Sequence, residues 1–302
     1  DPSNGKTFLA LDWACRIATG TPWRNHPVEP APVLYIAGEG RNGLVRRIKA
    51  WQLHNGASIE GAPLFIAPAL AISDANQLET ILQGVEAKAP QPALVVVDTL
   101  ARCFGEGDEN STKDMNRFVS ACDTIRNRWR CGVLVVHHTG HGDKSRARGA
   151  IALKAALDAE YRLEISEGNN LLLTATKMKE AELPSPLAMK LESVDLPSIM
   201  DTYGNPITSA AIEILDADVA EIVAQGTKTQ RQARRGKWQK IGLAAAKRLA
   251  AMSECGAVDI KAWHDECEKD GMSRPTRFRV LSEMKDAGEI IVSASGSGFE
   301  IA

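Results

Sequence analysis

Asn4-Gly5-Lys6-Thr7 stands directly before a stretch with helical apolar spacing, as the last residues of a GxxxxGK[ST] loop do. Backbone amides at a helix N-terminus hold an anion, a lysine neutralises phosphate charge, and a threonine hydroxyl ligates Mg²⁺. The spacing therefore implies that Asn4, Gly5, Lys6 and Thr7 hold the phosphates of a nucleoside triphosphate, with Lys6 on the β- and γ-phosphates and Thr7 on the metal. The same four residues also read as an ordinary helix start with Asn4 as N-cap. The first glycine of the motif and the strand expected in front of it are missing from the sequence.

Four further groups of residues could act with that loop. Ala93 to Asp98 (ALVVVD) has the form of a Walker B strand, with Asp98 placed to enter a Mg²⁺ shell. Glu39, between two glycines just past a strand, could polarise an attacking water, or be a loop glutamate at the surface. His137 and His138 end the next strand; side-chain alternation favours His138 as the γ-phosphate contact and leaves His137 open. Lys177 and Lys179, two positions apart after a late strand, can point together toward a neighbouring site or simply lie exposed. Between these, 139–149 carries Lys144, Arg146 and Arg148 without apolar periodicity, which suits either a DNA backbone or a solvated connection.

These residues need elements to position them. Helices are expected over 7–19, 44–51, 76–89, 112–129 and 151–156. Strands are expected over 33–37, 64–67, 93–97, 132–136, 160–165 and 170–176, the last two joined as a hairpin through Gly168-Asn169. Strands alternating with helices predict an α/β core with a mostly parallel sheet. Residues 217–240 read as a basic linker, since Lys228, Arg231, Arg234, Arg235, Lys237 and Lys240 have no acidic residue among them. Three helices (241–252, 260–269, 274–287) and two strands (289–294, 299–301) then follow in the order of a winged helix. Arg274, Arg277 and Arg279 form the basic face of its third helix and are its candidate DNA contacts. The acids Asp265, Glu266, Glu268 and Asp270 leave a protein-docking role equally open.

Bulk properties narrow the partners. The 302 residues suffice for a large domain and a small one, and the formal net charge of −2 leaves nucleic-acid affinity to local basic patches. The six cysteines are scattered without CxxC pairs, as buried free thiols of a reducing compartment would be. With no apolar run of spanning length and no signal-like start, a cytoplasmic location without membrane contact is expected.

GKTFLALDWA, YIAGEG, LVVVDTLAR, VLVVHHTGHG, RARGAIALKAALDAEYRLE and TATKMKEAELPSPLAMKLE occur in the order found in a known family. Over residues 1–216 the chain resembles RecA-like AAA ATPases of the plasmid RepA helicase type, hexameric relatives of the DnaB-like replicative ring helicases. The resemblance implies a RecA-like P-loop ATPase core that uses ATP and Mg²⁺. Lys6 and Thr7 would bind phosphate and metal, Glu39 would be the catalytic base, Asp98 the Walker B acid and His138 the γ-phosphate sensor. Lys177 and Lys179 would reach into a neighbouring subunit's site, with lysine where some relatives carry an arginine finger. Lys144, Arg146 and Arg148 would line the central DNA loop. The implied activity is an ATP-dependent homo-hexameric helicase moving on single-stranded DNA in replication of a plasmid, phage or mobile element, its winged helix recruiting DNA or a replication-initiation partner. The alternatives are a RecA/RadA-like recombination or repair ATPase, and an ATP-switched winged-helix DNA-binding regulator.

Overall fold

The computed structural model describes residues 5–38, 40–88, 90–138, 148–165, 169–215, 236–253, 256–293 and 297–301. They fall in two compact units, one up to residue 215 and one from residue 236.

The first unit begins with helix α1 (Lys6–Thr19), entered through Gly5 at φ 75° and closed by Gly20 at φ 74°. Both are left-handed conformations that glycine adopts without a Cβ penalty. Strand β1 (Val33–Ala37), helix α2 (Arg41–Asn55), β2 (Leu64–Pro68), α3 (Ala75–Glu86) and β3 (Leu94–Asp98) follow, then α4 (Leu100–Cys103), α5 (Thr112–Trp129) and β4 (Gly132–Val136). The four strands form a wholly parallel sheet in the order β2-β1-β3-β4, with Ala37 opposite Asp98 and Asp98 opposite Val136.

Alternation along these strands divides the core. Val33, Tyr35, Val96 and Val136 pack with Ala10, Leu11 and Ala14 of α1 and Leu44, Ile48 and Trp51 of α2. Leu34, Ile36, Val95 and Val97 pack on the opposite face with Leu78 and Leu82 of α3 and Phe118 and Ile125 of α5. Burial on both faces explains why these strands are continuous apolar runs. Asp98, following Val96 by two, lies on the α1 side.

Helix α6 (Arg148–Ala156) leads to a second, antiparallel sheet of β5 (Ala159–Ile165), β6 (Asn170–Met178), β7 (Leu187–Met200) and β8 (Pro206–Ile214), in chain order. Two of these strands were not expected from the sequence. In strand β7, Leu187, Met189 and Leu191 alternate with Ala188, Lys190 and Glu192, but the apolar residues then change phase to Val194 and Leu196 and Pro197 interrupts the run. Its register is set by pairing with β8 from Met189 opposite Ile214 to Leu196 opposite Ile207. β6 also runs to Met178, so Lys177 lies within the strand rather than after it. Leu163, Leu171, Leu173, Met189 and Ile212 of this sheet cover Leu9, Phe8 and Trp13 of α1.

A buried ion pair holds α1 to its neighbours. Asp12, 1% exposed, accepts from Arg16 Nε at 3.0 Å and from Trp51 Nε1 of α2 at 2.8 Å, while Arg16 NH2 donates to Asn55 Oδ1 at 2.8 Å. Burial still pushes the Asp12 carboxyl above the usual range, and the Arg16 charge and the bonds from Arg16 and Trp51 offset only part of that cost.

The second unit has helix α7 over 236–252, beginning inside the stretch read as linker, then β9 (Val258–Asp259), α8 (Ile260–Lys269), α9 (Arg274–Asp286), β10 (Ile290–Val292) and β11 (Gly298–Ile301). Its three strands form an antiparallel sheet in the order β10-β11-β9. Trp263, Val280, Met284 and Phe299 fill its core, and Trp263 Nε1 donates to the Gly242 carbonyl at 2.8 Å. α7 approaches so closely that a Cβ on Gly242 would stand 2.7 Å from Val280 Cγ1. Among the described residues, no helix is long and apolar enough to cross a membrane.

Candidate nucleotide site

The sheet's carboxyl edge meets the N-terminus of α1. Thr7 is in the first turn of α1 and Asp98 is the last residue of β3, and Thr7 Oγ1 donates to Asp98 Oδ1 at 3.3 Å although 91 positions separate them. Both are buried, Asp98 to 2% exposure. The other carboxylate oxygen, Asp98 Oδ2, accepts from the Tyr35 hydroxyl at 2.6 Å. The Asp98–Thr99 peptide is cis. Gly38, just past β1, donates its N–H to the Asp98 carbonyl at 2.5 Å, which ties the residue following β1 to the end of β3.

α1 has no side-chain N-cap and no acid in its first turn. Its opening amides and the positive end of its dipole are therefore not neutralised by a carboxylate on the helix. Lys6 adds its ammonium there. Burial holds the Lys6 ammonium below the usual lysine range, opposed by the charge of Asp98. His137, immediately past β4, belongs to the same electrostatic cluster. Burial pushes its imidazole down, and the charges of His138 and Lys6 act in the same direction against an opposing Glu160. The favoured form of His137 is the neutral ring, able to donate from one nitrogen and accept at the other.

Of the residues expected at the site, Gly5, Lys6, Thr7 and Asp98 are brought together here, and His137 and His138 follow the adjacent strand. Asn4, Glu39, Lys144 and Arg146 lie outside the described residues, as does the side chain of Arg148. Lys177 and Lys179 are engaged within the chain. Lys177 Nζ donates to the carbonyls of Lys154 at 2.6 Å and Ala155 at 3.2 Å, capping the carboxyl end of α6. Lys179 Nζ is 2.7 Å from Asp158 Oδ1.

The arginines of α9 divide. Arg274 and Arg279 are exposed; Arg274 lies over the Phe278 ring at 5.9 Å and Arg279 pairs with Glu283 at 3.4 Å. Arg277 departs from the expectation of a basic surface row. It is 6% exposed, with NH1 donating to the His264 carbonyl at 3.0 Å and lying 2.7 Å from Glu268 Oε2. Three positions before the buried Val280 and seven before the buried Met284, it falls on the core side of the helix, so it braces α8 rather than facing a phosphate backbone.

Sequence reasoning passed over Tyr35. Its signal was a single hydroxyl in an otherwise apolar strand, and its importance depends on the register that sets Ala37 beside Asp98.

Residues 1–144 match the family model described as an AAA domain. Over those residues the chain is similar to an AAA domain, a likeness that supports nucleotide binding in general. No match is found among curated proteins. A solved structure described as the crystal structure of the RadB recombinase is similar at 16% identity and a TM-score of 0.44, over 63% of this chain and 84% of that chain.

Proposed function

We propose that the chain is a Mg²⁺-dependent ATP hydrolase that works on DNA, its nucleotide held between the N-terminus of α1 and the ends of β3 and β4. The observation that carries this reading is the buried contact between Thr7 and Asp98, which joins a GKT helix start to the acid of a parallel strand. A hydroxyl and a carboxylate are hard oxygen donors of the kind Mg²⁺ takes, so the residues fit the ion. When bound, the ion would offset charge on the β- and γ-phosphate oxygens. The protein's part is positional: α1 presents amides and the Lys6 ammonium to phosphate, and Asp98 fixes the Thr7 hydroxyl. Glu39, reached through Gly38, is the proposed base for the attacking water, and His138 the proposed reporter of the γ-phosphate, with His137 as its rival.

For the work on DNA, the proposal is a RecA-type motor. One form is a homo-hexameric replicative helicase of a plasmid, phage or mobile element, with Lys144, Arg146 and Arg148 on the strand and Lys177 and Lys179 serving a neighbouring subunit. The other is a recombination or repair ATPase. The second unit's order, a helix, a short strand, two helices and a two-stranded ribbon, supports a winged helix with α9 as its third helix and Arg274 and Arg279 outward, recruiting DNA or a replication partner. Turnover with and without single-stranded DNA, in wild type and in Lys6→Ala, tests the premise: ATP turnover unchanged in the variant sinks the hydrolase reading. Strand displacement on a forked duplex then selects the helicase, whereas filaments and strand pairing select the recombinase. Tight duplex binding with DNA-independent hydrolysis would instead mark a nucleotide-switched regulator.

A further inference from the structure

Tyr35 is fully buried, in the middle of β1. Its neighbours in the sheet are Ile66 on one side and Val96 on the other, and its ring shares a core with Ala10, Leu11 and Ala14 of α1. Phenylalanine would satisfy all of that packing. The hydroxyl is the one polar group on the side chains of VLYIA, and a buried phenol requires a hydrogen-bond partner. It finds Asp98 Oδ2 at 2.6 Å, a short bond of the kind made to an ionised acceptor.

Parallel pairing explains the reach. Ala37 is opposite Asp98, and Tyr35, two residues before Ala37, points to the same face of the sheet. Tyr35 and Asp98 are therefore diagonal neighbours on the α1 side, and the length of the phenol closes the gap. The consequence falls on the carboxylate. With Oδ2 held by Tyr35, rotation of the carboxylate plane is restrained and Oδ1 is turned to Thr7 Oγ1 at 3.3 Å.

We propose that Tyr35 is the positioning residue of this site: its phenol clamps one oxygen of Asp98 so that the other is presented, beside Thr7, to the divalent cation that accompanies the nucleotide. The inference rests on the ATP-hydrolase reading and adds a residue that makes no contact with nucleotide itself. Groups that orient a ligating carboxylate change metal affinity by about 10- to 100-fold when removed.

The test uses the full chain and a fluorescent ATP analogue, whose binding is followed as Mg²⁺ is added and again in EDTA. In Tyr35→Phe the Mg²⁺ concentration at half-saturation should rise about 10-fold or more. Binding in EDTA should stay near wild type, since the ring and its packing are kept, while the melting temperature should fall modestly because a buried carboxylate oxygen loses its donor. In an Asp98→Asn background, Tyr35→Phe should shift the Mg²⁺ requirement no further, because the phenol acts through that carboxylate. A wild-type Mg²⁺ titration in Tyr35→Phe, or a shift of equal size in the Asp98→Asn background, overturns the proposal. Equal loss of binding in EDTA also overturns it, by making Tyr35 a packing residue. A wild-type chain that binds the analogue under neither condition overturns the parent reading instead.

Discussion

Lys179 Nζ lies 2.7 Å from Asp158 Oδ1, and the two side chains are 45% and 68% exposed. The pair joins the end of β6 to the turn between α6 and β5, where Lys179 N–H also donates to the Asp158 carbonyl at 2.9 Å. The hydrogen bond from Lys179 holds the Asp158 carboxyl below its usual range. A depressed acid contributes stability above its unfolded value near 3.8 and loses it as pH falls through the folded value, so the pair is intact at neutral pH. Exposed pairs are weak and screened by salt. Lys179 can therefore leave Asp158 for a stronger anion at small cost, as service to a neighbouring subunit would require. Mixing Lys179→Ala with Glu39→Ala chains is expected to restore turnover above that of either variant alone. Mixed assemblies no more active than their components would confine Lys179 to Asp158.

His137 gives the pH dependence. Its imidazole is held below the usual histidine value near 6.5, chiefly by burial and then by the charges of His138 and Lys6. The folded chain thus binds fewer protons than the unfolded one below pH 6.5. Its contribution to stability is complete above that value and is lost as pH falls through the folded value. Urea midpoints measured from pH 8 to pH 5 should decline below about 6.5. In His137→Asn the decline over that window should be shallower. An unchanged slope in the variant would assign the acid sensitivity to other groups.

α9 separates two kinds of arginine that look alike in sequence. Arg277 is turned onto α8, so Arg277→Ala leaves the His264 carbonyl and Glu268 without their donor and should cost the second unit about 1–3 kcal/mol. Arg274→Ala and Arg279→Ala remove exposed side chains and should leave its melting unchanged. If α9 meets a nucleic-acid backbone, each of these two lowers the salt dependence of binding by about one counterion. Melting curves and a salt titration of duplex binding for the three variants check both halves. An Arg277→Ala chain as stable as wild type would return that residue to the surface row.

What could be read without coordinates follows from where the information sits. VLYIA, ALVVV and GVLVV are continuous apolar runs because both faces of the parallel sheet are covered, and the Asp98 that closes one of them is visible as a break in polarity. β7 and β8 were illegible because one face is only partly covered and the register comes from cross-strand pairing. Asp12 and Arg16, four positions apart, look like an exposed helical pair; only the arrival of Trp51 and Asn55 from α2 shows them to be buried. Lys177 reads as a free cation until α6 places two carbonyls against its ammonium. Tyr35 is the same lesson at the site, since its chemistry lies in a contact across 63 positions of sequence.

Gly38 makes the tightest demand on backbone space beside the site. A Cβ there would meet Arg102 Cβ at 2.5 Å, Arg102 Cγ at 2.6 Å and the Asp98 carbonyl oxygen at 2.9 Å. The first and last of these belong to backbone or to the rigid root of a side chain, so the strain cannot be relieved by a rotamer change. Gly38→Ala must push the end of β1 away from β3 and lengthen the bond from Gly38 N–H to the Asp98 carbonyl. The expected cost is about 1–3 kcal/mol in urea unfolding, typical of overpacking. On the proposed ATP-hydrolase reading, turnover should fall further than stability alone requires, because Asp98 is displaced with the end of β1. Combining Gly38→Ala with Arg102→Gly removes two of the three clashes. Measured against Arg102→Gly alone, which carries its own helix penalty of about 1 kcal/mol, the alanine should cost less in the double variant. The remaining contact with the Asp98 carbonyl should keep that rescue incomplete. Full additivity of the two substitutions would show that Arg102 is not what excludes a side chain at Gly38.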